Sequence, residues 1–290
     1  MIDLGATWVI ARLTLREAMR RRMLLALFGL SGVAVLLTAW GYGQLQNVPG
    51  VSTGNVSIDQ VQLVASQLLI GVTFMFSFIL ALFAVLAAAP AIAGARESGE
   101  LQAIAARPVP RSSILLGKWL ALALVVVGYA AASGIAELVV VALITGYVPV
   151  QPAEAILYVA AEGIVVLSLT FLLGTRLSAV TSGVVAMLLF GIAWLSGVVG
   201  GIGLAFGDQA MSWVAPLVSV MLPSDGLWRG AIYSLEPASV VLAGAGAGPQ
   251  IAAFPFFADS PPAPAFIAWS VAWVVIVLLG AGIGFARNDL

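Results

Sequence analysis

The chain has 290 residues, 62% of them hydrophobic and only 9% charged, with a net charge of −1 and a mean hydropathy of +1.11. A soluble domain carries roughly 45 to 50% apolar residues, so this composition implies an integral membrane protein with no room for an independent soluble domain. Cysteine and histidine are both absent, which excludes disulfides, thiolate nucleophiles, Cys/His zinc sites and imidazole acid/base chemistry, and the near-neutral charge gives no reason to expect nucleic acid.

Residues 1–22 hold five arginines ahead of the first apolar run, and no A-x-A-like site follows, so a cleavable signal peptide is not expected. On a helical wheel Leu4, Trp8, Ala11, Leu15, Ala18 and Met19 share one face beside a stripe of Arg12, Arg16 and Arg20. Such a helix suits the membrane interface, with arginines at anionic headgroups; an ordinary basic flank of the first span is the alternative.

Apolar runs long enough to span follow at about 23–40, 67–93, 114–144, 153–174, 180–204 and 263–284, since about 20 residues cross the hydrocarbon core. The polar, Gly/Pro-containing stretch from Gly41 to about Ser66 reads as a loop. Pro90 falls near the end of the second span, where a missing amide is tolerated. The third run is long enough to conceal a break near Gly134, and a tight link at Thr175 to Ala179 joins the fourth and fifth. Residues 205–262 carry Trp213, Trp228, Tyr233, several prolines and AGAGAG, a mixture that fits short interfacial or re-entrant pieces.

Six spans put both termini on one side. Eleven of the twelve lysines and arginines then share a face, leaving Arg229 opposite, and the positive-inside rule makes the loaded face cytosolic. The expected location is the cell inner or plasma membrane. Spans 1 to 3 and 4 to 6 do not resemble each other, so no transporter-type repeat is expected.

The segment from Gly94 to Lys118 gathers Arg96, Glu97, Glu100, Arg107, Arg111 and Lys118 between two spans. Arg96 to Ala106 can form a short helix with Glu97 and Glu100 in its first turns, where the macrodipole favours acids. Pro108 and Pro110 stop it, and Lys118 can snorkel to headgroups at the re-entry. A short, abruptly ended helix suits docking into a groove; a solvated loop with stop-transfer charges is the alternative.

The order E-x-G-x-L, then R-P-V-P-R, then L-G-K at the start of a span resembles the permease subunits of type-2 ABC transporters (the ABC-2 family). The matching residues are Glu97, Gly99, Leu101, Pro108, Val109, Arg111, Leu116, Gly117 and Lys118. Glu100 stands where the family usually has Thr, and Pro110 where it usually has Ser or Thr. The layout is also similar over nearly the whole chain. The resemblance implies an all-α membrane permease whose segment 94–113 contains a cytosolic coupling helix, with Arg96, Glu97, Gly99, Glu100, Leu101, Ile104, Pro108 and Arg111 as its docking set and Gly117 and Lys118 at the membrane re-entry. It also implies pairing with a second permease and two copies of a separate ATPase, probable export being the direction expected. The chain has no G-x-x-x-x-G-K-[ST], because Gly117-Lys118 lacks the upstream glycine and the following hydroxyl. ATP and Mg²⁺ are therefore expected on the partner, and no cofactor, metal or catalytic residue on this chain.

Two acids fall inside spans, Glu137 and Glu162. Ionisable groups in hydrocarbon are costly and often line a pathway. Against that, Glu137 could sit solvated near the outer interface and Glu162 could hydrogen-bond a neighbouring Ser or Thr. A proton- or cation-coupled transporter or channel, and a membrane assembly factor, are the competing functions. Gly197-x-x-x-Gly201 and Gly280-x-x-x-Gly284 permit close helix approach, with the fifth span a candidate dimer face. The run Leu222 to Pro237 holds Asp225, Trp228 and Arg229, which read either as interfacial anchors or as a lid over the outer exit. The substrate is not readable.

Overall fold

The computed structural model describes residues 3–20, 22–45, 58–97, 110–246 and 254–287. Among the described residues there is no strand. Six helices are long and apolar enough to cross a membrane: α2 (Arg22–Leu45), α3 (Ile58–Ala89), α4 (Arg111–Thr145), α5 (Pro152–Gly174), α6 (Ala179–Phe206) and α11 (Pro264–Arg287). They are preceded by α1 (Leu4–Arg20). Among the described residues, four short helices lie between α6 and α11: α7 (Gln209–Ser212), α8 (Val214–Met221), α9 (Ser224–Leu235) and α10 (Ala238–Gly246).

The spans match the expected six, with longer ends. α2 and α3 reach into the polar stretch read as a loop, because polar residues beyond the hydrocarbon can continue a helix. α4 runs unbroken past Gly134. α3 continues through a π-helical turn at Pro90–Gly94 into Ala95–Glu97; Pro90 offers no amide to the α-helical ladder, and such turns interrupt α-helices where the ladder is broken. α4 and α6 each end on a left-handed glycine, Gly146 and Gly207, both at φ 71°, a backbone shape that glycine adopts without steric cost.

α5 is the most enclosed span, whereas α2 and α11 are the most peripheral. Three helices converge on Gly163 of α5, where an added Cβ would come within 2.7 Å of Val126 Cγ1 in α4 and 2.9 Å of Leu80 Cδ2 in α3.

α1 lies along the first turns of α4. Asp3 starts it, its Oδ1 accepting from the Gly5 and Ala6 amides at 2.9 and 3.2 Å while its own amide donates to Ser113 Oγ at 2.9 Å. The wheel grouped small and large residues on one face, and the structure separates them. Thr7, Ala11 and Ala18 are buried, whereas Leu4, Trp8 and Met19 are exposed. Only the small side chains let the backbones approach this closely.

Gly117 is the other half of that seam: a Cβ there would meet Thr7 O at 2.8 Å and Ile10 Cβ at 2.9 Å. Gly117→Val is expected to destabilise the protein by about 1–3 kcal/mol through overpacking, read as a lower unfolding midpoint in detergent. Gly128→Ala on the same helix, where nothing lies within 4 Å, is expected to cause no loss.

Candidate functional site: the two ends of the bundle

At the end where α3 stops and α4 starts, two charged residues of the expected docking set grip the turn between α5 and α6. Arg96 Nη1 donates to Thr175 O at 2.7 Å and its Nη2 to Leu177 O at 3.0 Å. Glu97 Oε1 accepts from the Ala179 amide at 3.1 Å. The last carbonyls of a helix and the first amides of the next lack intrahelical partners and carry partial negative and positive charge. A cation and an anion side by side on α3 therefore match both halves of the turn. Ser178 completes it as the N-cap of α6, its Oγ accepting from the Thr181 amide at 3.2 Å.

Lys118 does not snorkel away from the bundle: its Nζ donates to Ala91 O in the π-helical turn at 2.9 Å. Gly117 acts in packing against α1 rather than only in membrane re-entry. Arg111 opens α4 after Pro110, whose extended backbone (φ −59°, ψ 132°) sets the entry. Gly99, Glu100, Leu101, Ile104 and Pro108 lie outside the described residues, so the expected coupling helix is described only at its first residues. α11 returns to this same end, where Gly284 lies beside Thr175, a Cβ there coming within 2.9 Å of Thr175 Oγ1.

The two acids within spans have different partners. Glu162 is buried and accepts a hydrogen bond from Ser77 Oγ of α3 at 2.6 Å, which is the Ser/Thr pairing weighed above. Glu137 is only 1% exposed, so it is not solvated. Neither of its oxygens has a hydrogen-bond partner among the described residues, and its ionisable neighbour is Tyr42 of α2. Glu162 instead lies near Asp225. The acids thus have different neighbours, Tyr42 of α2 beside Glu137 and Ser77 of α3 with Asp225 beside Glu162.

At the opposite end, residues 207–246 and 254–262 fold back on the bundle. α9 packs on α5, and Trp228, 1% exposed, meets Phe74 of α3 with ring centroids 5.3 Å apart. Phe74 also contacts Trp194 of α6 at 5.3 Å. Trp228 is therefore not an interfacial anchor, because its indole is buried against Phe74. The short helices would leave their last carbonyls unpaired near lipid, where such groups are costly. Trp269 and Trp273 of α11 donate to Val220 O and Met221 O at 3.0 and 2.8 Å, and Tyr147 OH donates to Leu235 O at 2.7 Å. Sequence reasoning missed these caps, although two tryptophans four residues apart on one helix face was the available signal.

Arg229 is held from two sides. Its Nε donates to Asp225 Oδ2 at 3.1 Å and its Nη2 to Gly197 O of α6 at 2.8 Å. A Cβ at Gly197 would collide with the Asp225 carboxylate. The pair borders a cavity of about 820 Å³ whose walls include Gly200, Trp213 and Phe266. Burial pushes the Asp225 carboxyl above its ordinary range, partly offset by Arg229. Gly197 and Gly201 thus face the folded-back helices, while Gly280 and Gly284 approach α5 at Leu172 and Thr175; both small-residue motifs are used in internal packing.

Six apolar spans, four helices folded back on one end and a side-chain clamp at the other define a multi-pass helical membrane protein. The ABC-2 family transporter protein model matches residues 8–290, and the chain belongs to that family, the one its Glu97 to Lys118 motif resembles. No curated protein matches the chain.

Glu236, at the end of α9, is buried with neither carboxylate oxygen hydrogen-bonded among the described residues. Burial pushes its carboxyl up to about 8; the Ala258 amide, too poorly placed to make a hydrogen bond, pulls it down, and Asp259 pushes it further up. The native state thus holds a proton that the unfolded chain releases near pH 4.5, so the contribution of Glu236 to stability is greatest at low pH and is lost as pH rises from about 5 to about 8. Glu236→Gln is expected to flatten that part of a plot of unfolding midpoint against pH.

Proposed function

We propose that this ABC-2 permease works as an exporter driven by a separate ATPase that docks on segment 94–113. Two permeases and two ATPase subunits form the unit, ATP and Mg²⁺ bind the partner, and cargo passes between the permeases. The arginine-rich end then faces the cytosol with both termini, and the Arg229 cavity faces outward. The chain sits in the cell inner or plasma membrane.

The observation that carries this reading is the clamp of Arg96 and Glu97 on the α5–α6 turn. It joins the base of the docking segment to two spans outside the α3–α4 pair, so a push on the segment is not confined to the helices it connects. The missing phosphate loop supports a separate motor, and the positive-inside rule supports the orientation.

Reversing Glu97 and Glu100 to Lys is expected to abolish co-purification with the ATPase, measured by pull-down from detergent. Glu100→Lys alone leaves the Glu97 bond to Ala179 in place and is also expected to weaken the association. Normal assembly and transport in both variants would remove the docking assignment. A separate measurement addresses Glu162 as a pathway residue: Glu162→Gln is expected to keep ATPase association but lower transport and substrate-stimulated ATP hydrolysis.

A further inference from the structure

α6 is anchored at both ends. At its base the Ala179 amide is held by Glu97 and the preceding turn by Arg96. Near its other end, glycines bring its backbone against the folded-back helices. Gly197 O accepts from Arg229, a Cβ at Gly200 would come within 2.5 Å of Ala215 Cβ, and one at Gly203 would collide with the Ser212 amide. The Gly200 and Gly203 contacts have no flexible side chain to absorb displacement, and close-packed interiors transmit strain. The 28 residues of α6 make a rod of about 42 Å at the α-helical rise.

Its buried face combines the small side chains of Ser182, Ala186, Ala193 and Ser196 with Phe190, and Trp194 packs its ring on Phe74 of α3. Its other face, Val180, Val184, Leu188, Ile192 and Leu195, is exposed apolar surface. With both ends held and its middle packed, a displacement of the base is carried along the helix to the Gly197 end.

We infer that α6 is a push rod: Arg96 and Glu97 are positioning residues that hand the movement of the docking segment to its base, and its Gly197 end moves the Asp225–Arg229 pair to change access to the cavity. The inference rests on the proposed docking of an ATPase at segment 94–113. It deepens that reading by naming the route to the far side.

The chain has no cysteine, so one introduced at Ser219, on the cavity wall, reports access cleanly. The experiment uses the full complex in lipid nanodiscs, labelled with a membrane-impermeant maleimide without nucleotide and with trapped ATP. Ala179→Pro removes the amide that Glu97 accepts from, and proline is favourable at the first helical position. Ser178 is already extended (φ −66°, ψ 161°), as a residue before proline requires. Arg96→Gln removes the other half of the clamp and leaves α6 itself unaltered.

With the clamp intact, trapping ATP is expected to change the labelling rate of Ser219→Cys by about five-fold or more. Each single variant is expected to shrink that response, and the double variant to erase it, when complexes are compared at equal ATPase occupancy. A full response in the double variant overturns the push rod. So does an unresponsive label in a parent complex that holds its ATPase, an outcome that leaves docking intact. Failure of the parent chain to bind any ATPase overturns the proposed function and this inference with it. If Ala179→Pro alone fails to assemble, the response of Arg96→Gln decides.

Discussion

A helix that ends in or beside a bilayer leaves amides and carbonyls with no water to bond. This chain meets that constraint with side chains borrowed from distant elements. Arg96 and Glu97 serve the α5–α6 turn, Lys118 serves the π-helical turn of α3, and Trp269, Trp273 and Tyr147 serve α8 and α9. Each bond completes one helix and fixes another against it. The polar economy of the helix ends and the arrangement of the bundle are therefore the same set of contacts.

Between the ends, the arrangement depends on missing side chains. Lipid tails are as apolar as leucine, so burial against them gives helices little reason to associate, and close packing takes its place. Gly163 seats α3 and α4 on α5, Gly117 seats α1 on α4, and Gly197 seats the Asp225–Arg229 pair on α6. The last of these brings an ion pair, with Asp225 buried and Arg229 partly exposed, to a backbone carbonyl, where the guanidinium is satisfied on two sides. In a site of low dielectric, removing either partner would leave a charge exposed to that environment, which is why such pairs fix geometry more than they add stability.

Much of the architecture was legible because composition and span length act locally. Six apolar runs, the tight turn at Thr175 to Ala179 and the short pieces between the last two spans follow from hydropathy and from Gly, Pro and Trp placement. The family motif likewise lies in one continuous stretch. The site was less legible. Arg96 and Glu97 could be picked as functional, but their partners are backbone groups some 80 residues away, and backbone groups look the same at every position of a sequence. Trp228 failed for a related reason: an indole beside charged residues reads as interfacial, and only its neighbours Phe74 and Trp194 show it to be interior.

By itself the sequence determined that this is a six-span helical membrane protein, which segment interrupts its spans with charge, and which family it resembles. Those properties depend on transfer of residues from water to lipid, a sum over neighbours in the chain. Only the tertiary structure decided that Glu137 and Glu162 have different neighbours, that Gly117 and Gly197 are contact points, and that the charged interruption grips the base of α6. These depend on which helix face meets which, and in a chain apolar almost all the way round each helix, hydrophobic periodicity does not mark the inward face.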